Sequence, residues 1–117
     1  MKWVVKNRDT FKTWFDTQDD DIKIEVLALL TVLEAVGPNL GRPYSDTLNG
    51  SKHPNMKELR LKVDRHPIRI CFAFDPERKA IILCAGDKKG KNEKLFYKEL
   101  IKLADQEFDD HLKEIKE

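Results

Sequence analysis

The sequence MKELRLKV (56–63), followed by IRICFAF (68–74) and AIILCAG (80–86), decides the fold of this chain. In each of these three segments apolar residues alternate with polar or small ones, which is the pattern of a β-strand. Residues that favour turns separate the segments, at 64–67 and at 75–79. Three consecutive strands joined by short turns predict an antiparallel sheet.

The polar side chains of the first two strands are expected to share one face of this sheet. Successive side chains of a strand point to opposite faces, so Arg60 and Lys62 lie opposite the apolar residues of their strand. Antiparallel pairing brings Arg69 to the same face, and the small Cys71 and Ala73 beside it leave room for a ligand. We therefore expect an open, cationic face with Arg69 pointing away from the core, which suits a phosphodiester.

The rest of the chain predicts one more strand and three helices. The strand is expected at 3–5 and the helices at 8–16, 22–36 and 92–116, with a long loop at 38–55. The acidic end of the last helix is expected to project or to contact a partner. The predicted fold class is α+β: a mostly antiparallel four-stranded sheet with two N-terminal helices and a long C-terminal helix, in a single domain over 1–117.

Charge is unevenly distributed along the chain, although the net charge is only +1. Residues 52–98 contain 13 Lys or Arg and 6 Asp or Glu, whereas the rest of the chain contains 9 Lys or Arg and 15 Asp or Glu. A basic centre between acidic ends fits binding to a polyanion. The alternative is that the charges are merely sorted onto solvated faces.

Cysteine and histidine usage predicts neither a metal site nor a cofactor. Cys71 and Cys84 lie inside predicted strands without C-x-x-C spacing, which indicates reduced core thiols, with a cross-strand bridge as the less favoured alternative. His53, His66 and His111 lack metal-ligand spacing. The sequence shows neither a cleavable signal nor an apolar run of membrane-spanning length, so we expect a soluble cytoplasmic protein with no membrane partner.

Taken in order, MKELRLKV, IRICFAF, AGDKKGK and FYKELI resemble the RelE/ParE toxin superfamily, and in particular its phage Gp49-like, HigB-type branch. The resemblance covers 3–105. It implies a toxin of a type II toxin–antitoxin pair that acts as a ribosome-dependent, metal-independent mRNA endoribonuclease and so inhibits translation. The implied partners are the ribosome, mRNA and a helix-turn-helix, HigA-like antitoxin, which would form a hetero-oligomer with the toxin.

The resemblance also implies roles for particular residues. Arg69 matches the arginine that grips the scissile phosphate, and Tyr97 matches a tyrosine that some members hold near the attacking ribose hydroxyl. The full set of implied catalytic residues is Arg60, Lys62, Arg69, Lys88, Lys89 and Tyr97, with Lys57, Lys91 and Lys94 as further RNA-binding candidates. The segment between Gly86 and Tyr97 is longer and richer in lysine than in RelE, and it lacks the histidine that some HigB proteins have after the last strand.

These residue types suit RNA cleavage by the neighbouring 2′-hydroxyl, which needs a base, an acid and cations on the phosphorane. A guanidinium such as that of Arg69 can grip two phosphate oxygens at once. A lysine is a poor base at neutral pH, but the nearby cations Arg60 and Arg69 are expected to make Lys62 a better one. Without a well-tuned base, catalysis should depend on the ribosome to position the substrate.

Three alternatives to the nuclease remain open at this point. The first is a ParE-like poison of DNA gyrase, which the basic cluster disfavours. The second is a non-catalytic module that binds nucleic acid. The third is that Arg60 and Lys62 are solvated strand residues paired with Glu58 and Asp64.

An antitoxin is expected to cover the helical side of the protein. The helix at 22–36 carries Ile22, Val26, Leu29, Leu30 and Leu33 on one face, and its apolar surface extends beyond that stripe to residues that include Leu27 and Val32. Either the helix is packed on two sides or it offers a patch to a partner. The acidic run 19–21 precedes the helix.

Overall fold

The computed structural model describes residues 2–116, and this part of the chain forms one five-stranded sheet with three α-helices and a short 3₁₀ helix at Gly37–Asn39. The elements follow in the order β1 (Val5–Asn7), α1 (Asp9–Asp16), α2 (Asp20–Val36), β2 (Ser45–Thr47), β3 (Lys57–Val63), β4 (His66–Phe74), β5 (Ala80–Asp87) and α3 (Glu93–Glu114). The strand order is β1-β5-β4-β3-β2, with β1 parallel to β5 and the other pairs antiparallel. The predicted α+β class is confirmed, although the sheet has five strands instead of four.

The additional strand, β2, lies inside the segment 38–55 that was predicted to be a loop. Its sequence is Ser-Asp-Thr, which has no apolar alternation. It is a strand because its backbone pairs with the outer edge of β3, with Ser45 opposite Leu59 and Thr47 opposite Lys57. A strand made only by edge pairing leaves no periodic signal in the sequence.

Helices α1 and α2 cover one face of the sheet. The residues of α2 predicted to share one face are all buried, namely Ile22, Val26, Leu29, Leu30 and Leu33. They pack on the apolar side of β3 and β4, where Leu59, Ile68 and Ile70 are 0% exposed. Asp19 precedes α2 and Asp20 and Asp21 lie in its first turn, but the Asp19 side chain makes no capping hydrogen bond.

Helix α3 covers the opposite face, which was expected to be open. Cys71 and Ala73 are 0% and 1% exposed, because the apolar stripe of α3 packs on them through residues that include Phe96 and Leu100. A Cβ atom added to Gly86 would lie 2.9 Å from the Phe96 ring, so glycine permits this close approach. The expectation that Cys71 and Ala73 leave room for a ligand is therefore wrong.

The turn between β3 and β4 is tighter than predicted. Asp64 and Arg65 both have positive φ, 48° and 68°, and form a two-residue connection that fits a β-hairpin. His66 and Pro67 consequently belong to β4, and the Pro67 carbonyl accepts a hydrogen bond from the backbone N–H of Lys88 at 2.9 Å. This register sets Arg60 directly opposite Arg69.

The acidic end of α3 contacts the chain itself and does not project. Glu107 accepts a hydrogen bond from Arg8 at 2.9 Å, and His111 lies 2.7 Å from the Asp75 carboxylate. Asp109 is 2.8 Å from His53. The expectation of a projecting end is wrong, because these pairs dock the helix on the residue that joins β1 to α1, on the loop after β4 and on the loop before β3.

The two cysteines face each other across β4 and β5 as free, buried thiols. The hydrogen bond with Cys84, followed by burial, raises the pKa of the Cys71 thiol well above its ordinary value. Within residues 2–116, no helix combines the length and apolar character needed to cross a membrane.

Candidate active site

A polar cleft of about 380 Å³ opens between β3, the segment around β2 and the first turns of α3. Strand β3 provides its floor with Glu58 and Arg60, and α3 contributes Tyr97. The complete lining is Arg42, Asp46, Thr47, Leu48, Asn49, Glu58, Arg60, Glu93, Lys94 and Tyr97. Two of the predicted catalytic residues, Arg60 and Tyr97, therefore meet in one cleft although they lie far apart in sequence.

Glu58 is the central group of this cleft. It is only 4% exposed. Its Oε1 accepts a hydrogen bond from the Tyr97 hydroxyl at 2.8 Å, and its Oε2 accepts one from Arg60 Nη1 at 2.9 Å. Sequence reasoning did not include Glu58 in the site, although a carboxylate on the same strand face as Arg60 and Lys62 was an available signal.

Arg69 lies beneath Tyr97 and is not open to solvent. It is 7% exposed; its Nε donates to the Tyr97 hydroxyl oxygen at 3.0 Å and its Nη1 to the Ile68 carbonyl at 3.0 Å. Its Nε is also 3.9 Å from Glu58. The expectation that Arg69 points away from the core is wrong, because α3 covers the sheet face that carries it.

Tyr97 is held as a neutral phenol. Burial is the main influence that raises its pKa, and the hydrogen bond to the Glu58 carboxylate raises it further, against the opposing effect of Arg69. At neutral pH this hydroxyl is therefore a donor toward Glu58 and not a phenolate base.

Arg60 is the cation of the cluster that reaches the cleft. Its side chain keeps 26% exposure, against 8% for Arg69. Although partial burial opposes it, the hydrogen bond and charge of Glu58 raise the pKa of Arg60. Its planar guanidinium stays charged and can address two oxygens of a phosphate.

The cleft is not uniformly cationic. Its lining carries three carboxylates and three cations, namely Asp46, Glu58, Glu93, Arg42, Arg60 and Lys94. The hydrogen bond from Arg42 lowers the pKa of Asp46, so that carboxylate is ionised at neutral pH. The expected cationic face is thus replaced by a balanced set of charges. Among residues 2–116, no three His, Cys, Asp or Glu side chains are grouped so that they could hold a metal ion.

The predicted lysines have different positions relative to the cleft. Lys94 lines it. Lys88 lies next to it, with Nζ 2.5 Å from Glu93 and 5.7 Å from the centroid of the Tyr97 ring. Lys62 is exposed and borders a different groove, on the α2 side of β3.

The remaining three lysines are not part of the cleft lining. Lys89 is exposed in the turn after β5. Lys91 lies against the outer side of α3, with Nζ 5.8 Å from the centroid of the Phe96 ring. Lys57 alternates with Glu58 along β3 and so lies on the opposite face of the sheet. The structure therefore does not bring Lys57 to the site.

The model of the phage derived Gp49-like family matches residues 13–109. The chain belongs to this family. It is 46% identical over 105 residues to the candidate toxin HigB2 of Mycobacterium tuberculosis, a match that covers 89% of this chain and 52% of that protein. It is 47% identical over 93 residues to the candidate toxin HigB3 of the same organism, a match that covers 80% of this chain and 79% of that protein. The Gp49-like chain thus spans about half the length of HigB2 and most of HigB3.

The fold of the Gp49-like chain is similar to that of the Escherichia coli toxin RelE. The comparison is with a double mutant of RelE in the free state, at a TM-score of 0.56 and 10% identity, covering 76% of this chain and 86% of RelE. At that identity the similarity establishes the fold alone. The resemblance to a RelE-like, HigB-type toxin of the Gp49-like branch is confirmed.

Proposed function

We propose that this Gp49-like protein is the toxin of a type II toxin–antitoxin pair and that it cleaves mRNA on the ribosome. The observation that carries the proposal is the buried Glu58 carboxylate, shared by Arg60 and Tyr97 at the floor of an open cleft. Similarity to two candidate toxins supports the toxin role. A carboxylate can act as the base and a guanidinium can stabilise the phosphorane, which are two of the three functions that phosphodiester transfer by a neighbouring hydroxyl needs.

In the proposed reaction Glu58 is the general base. It removes the proton from the ribose 2′-hydroxyl, whose oxygen then attacks the adjacent phosphorus. The P–O5′ bond breaks, so the products are a 2′,3′-cyclic phosphate and a free 5′-hydroxyl. Arg60 stabilises the additional negative charge of the phosphorane, which exists only near the transition state.

The other residues of the cluster have supporting roles in this proposal. Tyr97 and Arg69 hold the Glu58 carboxylate in place through the hydrogen bonds that connect the three side chains. Lys88 and Lys94, beside and within the cleft, are the candidates to protonate the leaving 5′-oxygen. The reaction as written needs no metal ion or cofactor.

The exposed lysines outside the cleft are proposed to contact RNA of the ribosome and not the scissile phosphate. These residues are Lys62, Lys89 and Lys91. Lys57 is not included, because it lies on the opposite face of the sheet.

Dependence on the ribosome follows from the charges of the cleft. Affinity for free nucleic acid comes mainly from neutralising phosphates, and a lining with three carboxylates and three cations offers little net attraction. The ribosome would supply what the cleft lacks, because holding the reacting groups in position can contribute several kcal/mol to catalysis. The proposed site of action is accordingly the cytoplasm, where a helix-turn-helix, HigA-like antitoxin would hold the toxin inactive in a hetero-oligomer.

Mapping of RNA ends tests the reaction. The purified protein is incubated with translating ribosomes, and in parallel with the same mRNA free in solution. We expect new 5′ ends within codons only when ribosomes are present. Rapid cutting of the free RNA would refute the dependence on ribosomes. DNA breaks with intact mRNA would indicate a gyrase poison, and no damage to either would indicate a binding module.

A matched pair of variants tests the base. Glu58→Gln keeps the shape of the side chain but removes its basicity, so cleavage should fall by about 10²- to 10⁴-fold. Asp46→Asn is the control, because Asp46 lines the same cleft but is paired with Arg42. Equal, small effects of the two changes would show that Glu58 is not the base.

A further inference from the structure

A turn formed by Asn49 and Gly50 lies in the wall of the cleft. Both residues are exposed, and Asn49 lines the same cleft as Glu58 and Arg60. Asparagine is among the thermolabile residues of proteins, because the backbone nitrogen of the next residue can attack its side-chain carbonyl carbon. Glycine in that next position has no side chain to hinder the attack. The turn therefore combines the most reactive local sequence with a place in the candidate active site.

The structure leaves this turn free to react. The residues on either side of it are anchored, because Leu48 is only 5% exposed and the Ser51 hydroxyl donates to the Asp105 carboxylate at 2.5 Å. Between these anchors, neither the Asn49 side chain nor the Gly50 N–H has a hydrogen-bond partner in the part of the chain that the structure describes. No partner therefore has to be displaced before the Gly50 nitrogen attacks.

The other four asparagines lack this combination. Each of them is followed by a residue with a long side chain: Asn7 (before Arg8), Asn39 (before Leu40), Asn55 (before Met56) and Asn92 (before Glu93). The side chain of Asn92 is also occupied as the cap of α3, where it accepts a hydrogen bond from the Leu95 N–H at 3.0 Å. The reaction should therefore begin at Asn49.

We propose that Asn49 deamidates spontaneously and that its product closes the cleft to RNA. The Gly50 nitrogen loses its proton and forms a bond to Cγ of Asn49, while the Cγ–Nδ2 bond breaks and ammonia leaves with that proton. Water then opens the resulting succinimide at either carbonyl carbon and returns a proton to the nitrogen. The products are aspartate, or isoaspartate with one additional methylene group in the main chain.

The effect on activity rests on the proposed function. The cleft lining holds three carboxylates and three cations, so a fourth carboxylate at position 49 gives it a net negative charge. The groups that line a cleft of about 380 Å³ lie within about one Debye length of a phosphate in it, roughly 8 Å at physiological salt, so salt does not screen out the new charge. It repels the RNA phosphate that Arg60 is proposed to bind. The toxin consequently loses activity with age.

Peptide mapping of the ageing protein tests the site. The purified chain is incubated in mildly alkaline buffer, and samples are taken over time for mass spectrometry and for cleavage of mRNA on ribosomes. We expect Asn49 to convert before any other asparagine, and the remaining activity to follow the fraction of unconverted Asn49. Earlier conversion of another asparagine, or no conversion of Asn49, would overturn the inference.

Variants separate the added charge from other effects of ageing. Freshly purified Asn49→Asp should cleave at least tenfold less than wild type at an unchanged Tm. Asn55→Asp is the control, because it adds the same charge outside the cleft lining, and it should stay within twofold of wild type. Asn49→Gln should keep its own initial activity throughout ageing, because ring closure from the longer side chain is much slower.

Three results would contradict the proposal or its basis. An Asn49→Asp variant that cleaves like wild type, or that is inactive only because it unfolds, would overturn the effect on RNA. If Asn49→Gln lost activity as fast as the wild type, deamidation would not be the cause of the loss. Fresh wild-type protein that does not cleave mRNA would refute the proposed function, while peptide mapping still decides whether Asn49 is the labile site.

Discussion

Replacing Arg69 with alanine should destabilise the fold as well as abolish activity. The side chain is buried beneath Tyr97 and donates two hydrogen bonds, to the Tyr97 hydroxyl and to the Ile68 carbonyl. Its removal also takes a positive charge away from the buried Glu58, 3.9 Å distant. Glu58 keeps Arg60 as a partner, so the carboxylate is not left entirely uncompensated.

The expected loss follows from these contacts. A hydrogen bond from a charged donor contributes roughly 1.5 kcal/mol or more to stability, so two such bonds give about 3 kcal/mol of unfolding free energy. Breaking a buried ion pair outright costs about 3–5 kcal/mol of unfolding free energy. Because Glu58 stays paired with Arg60, the loss for Arg69→Ala should lie at the lower end of that range. At about 4 °C per kcal/mol for a domain of this size, the Tm should fall by roughly 12 °C.

Thermal unfolding followed by circular dichroism measures this effect, with growth arrest on induction scored in parallel. Arg60→Ala is the matched control: Arg60 lies opposite Arg69 and contacts the same carboxylate, but it makes one hydrogen bond from a more exposed position. It should lose only about 1 kcal/mol and still abolish cleavage. An inactive Arg69→Ala that melts within about 2 °C of wild type would refute the buried, positioning role and assign Arg69 to the reaction itself.

Two further predictions concern packing and pH. Gly86→Ala should lower the unfolding free energy by about 1–3 kcal/mol, because the new methyl group would lie 2.9 Å from the Phe96 ring. Gly41→Ala is the control and should be close to neutral, because a Cβ atom there would have nothing within 4 Å. Equal urea midpoints for the two variants would contradict this prediction. Burial raises the pKa of Asp75, but the hydrogen bond with His111 outweighs it, and the net effect is a pKa below the ordinary 3.8. The ionised carboxylate therefore stabilises the fold above pH 3.8. This contribution is lost as the pH falls through the lowered pKa. The difference in urea midpoint between wild type and Asp75→Asn should therefore be full at pH 7 and shrink below about pH 4. A difference that stays at its pH 7 value as the pH falls to 3 would show that the carboxylate charge is not responsible.

The sequence by itself determined the strands β3, β4 and β5, the buried stripe of α2 and the membership of Arg60 and Arg69 in one sheet face. These features depend on local geometry, because the direction of a side chain follows from its position along a strand or helix. For the same reason Lys57 could have been assigned to the opposite face from its position next to Glu58.

Only the tertiary structure decided what covers that face. The apolar stripe of α3 was readable, but its position on the sheet depends on contacts with residues distant in sequence, such as the pair Tyr97 and Glu58, which are 39 residues apart. That packing buries Arg69, which the sequence suggested was open, and it makes Glu58 the centre of the cleft. Strand β2 likewise exists only because β3 offers it a backbone edge. Periodicity determines which side chains lie together, and the packing of distant elements determines which of them reach solvent.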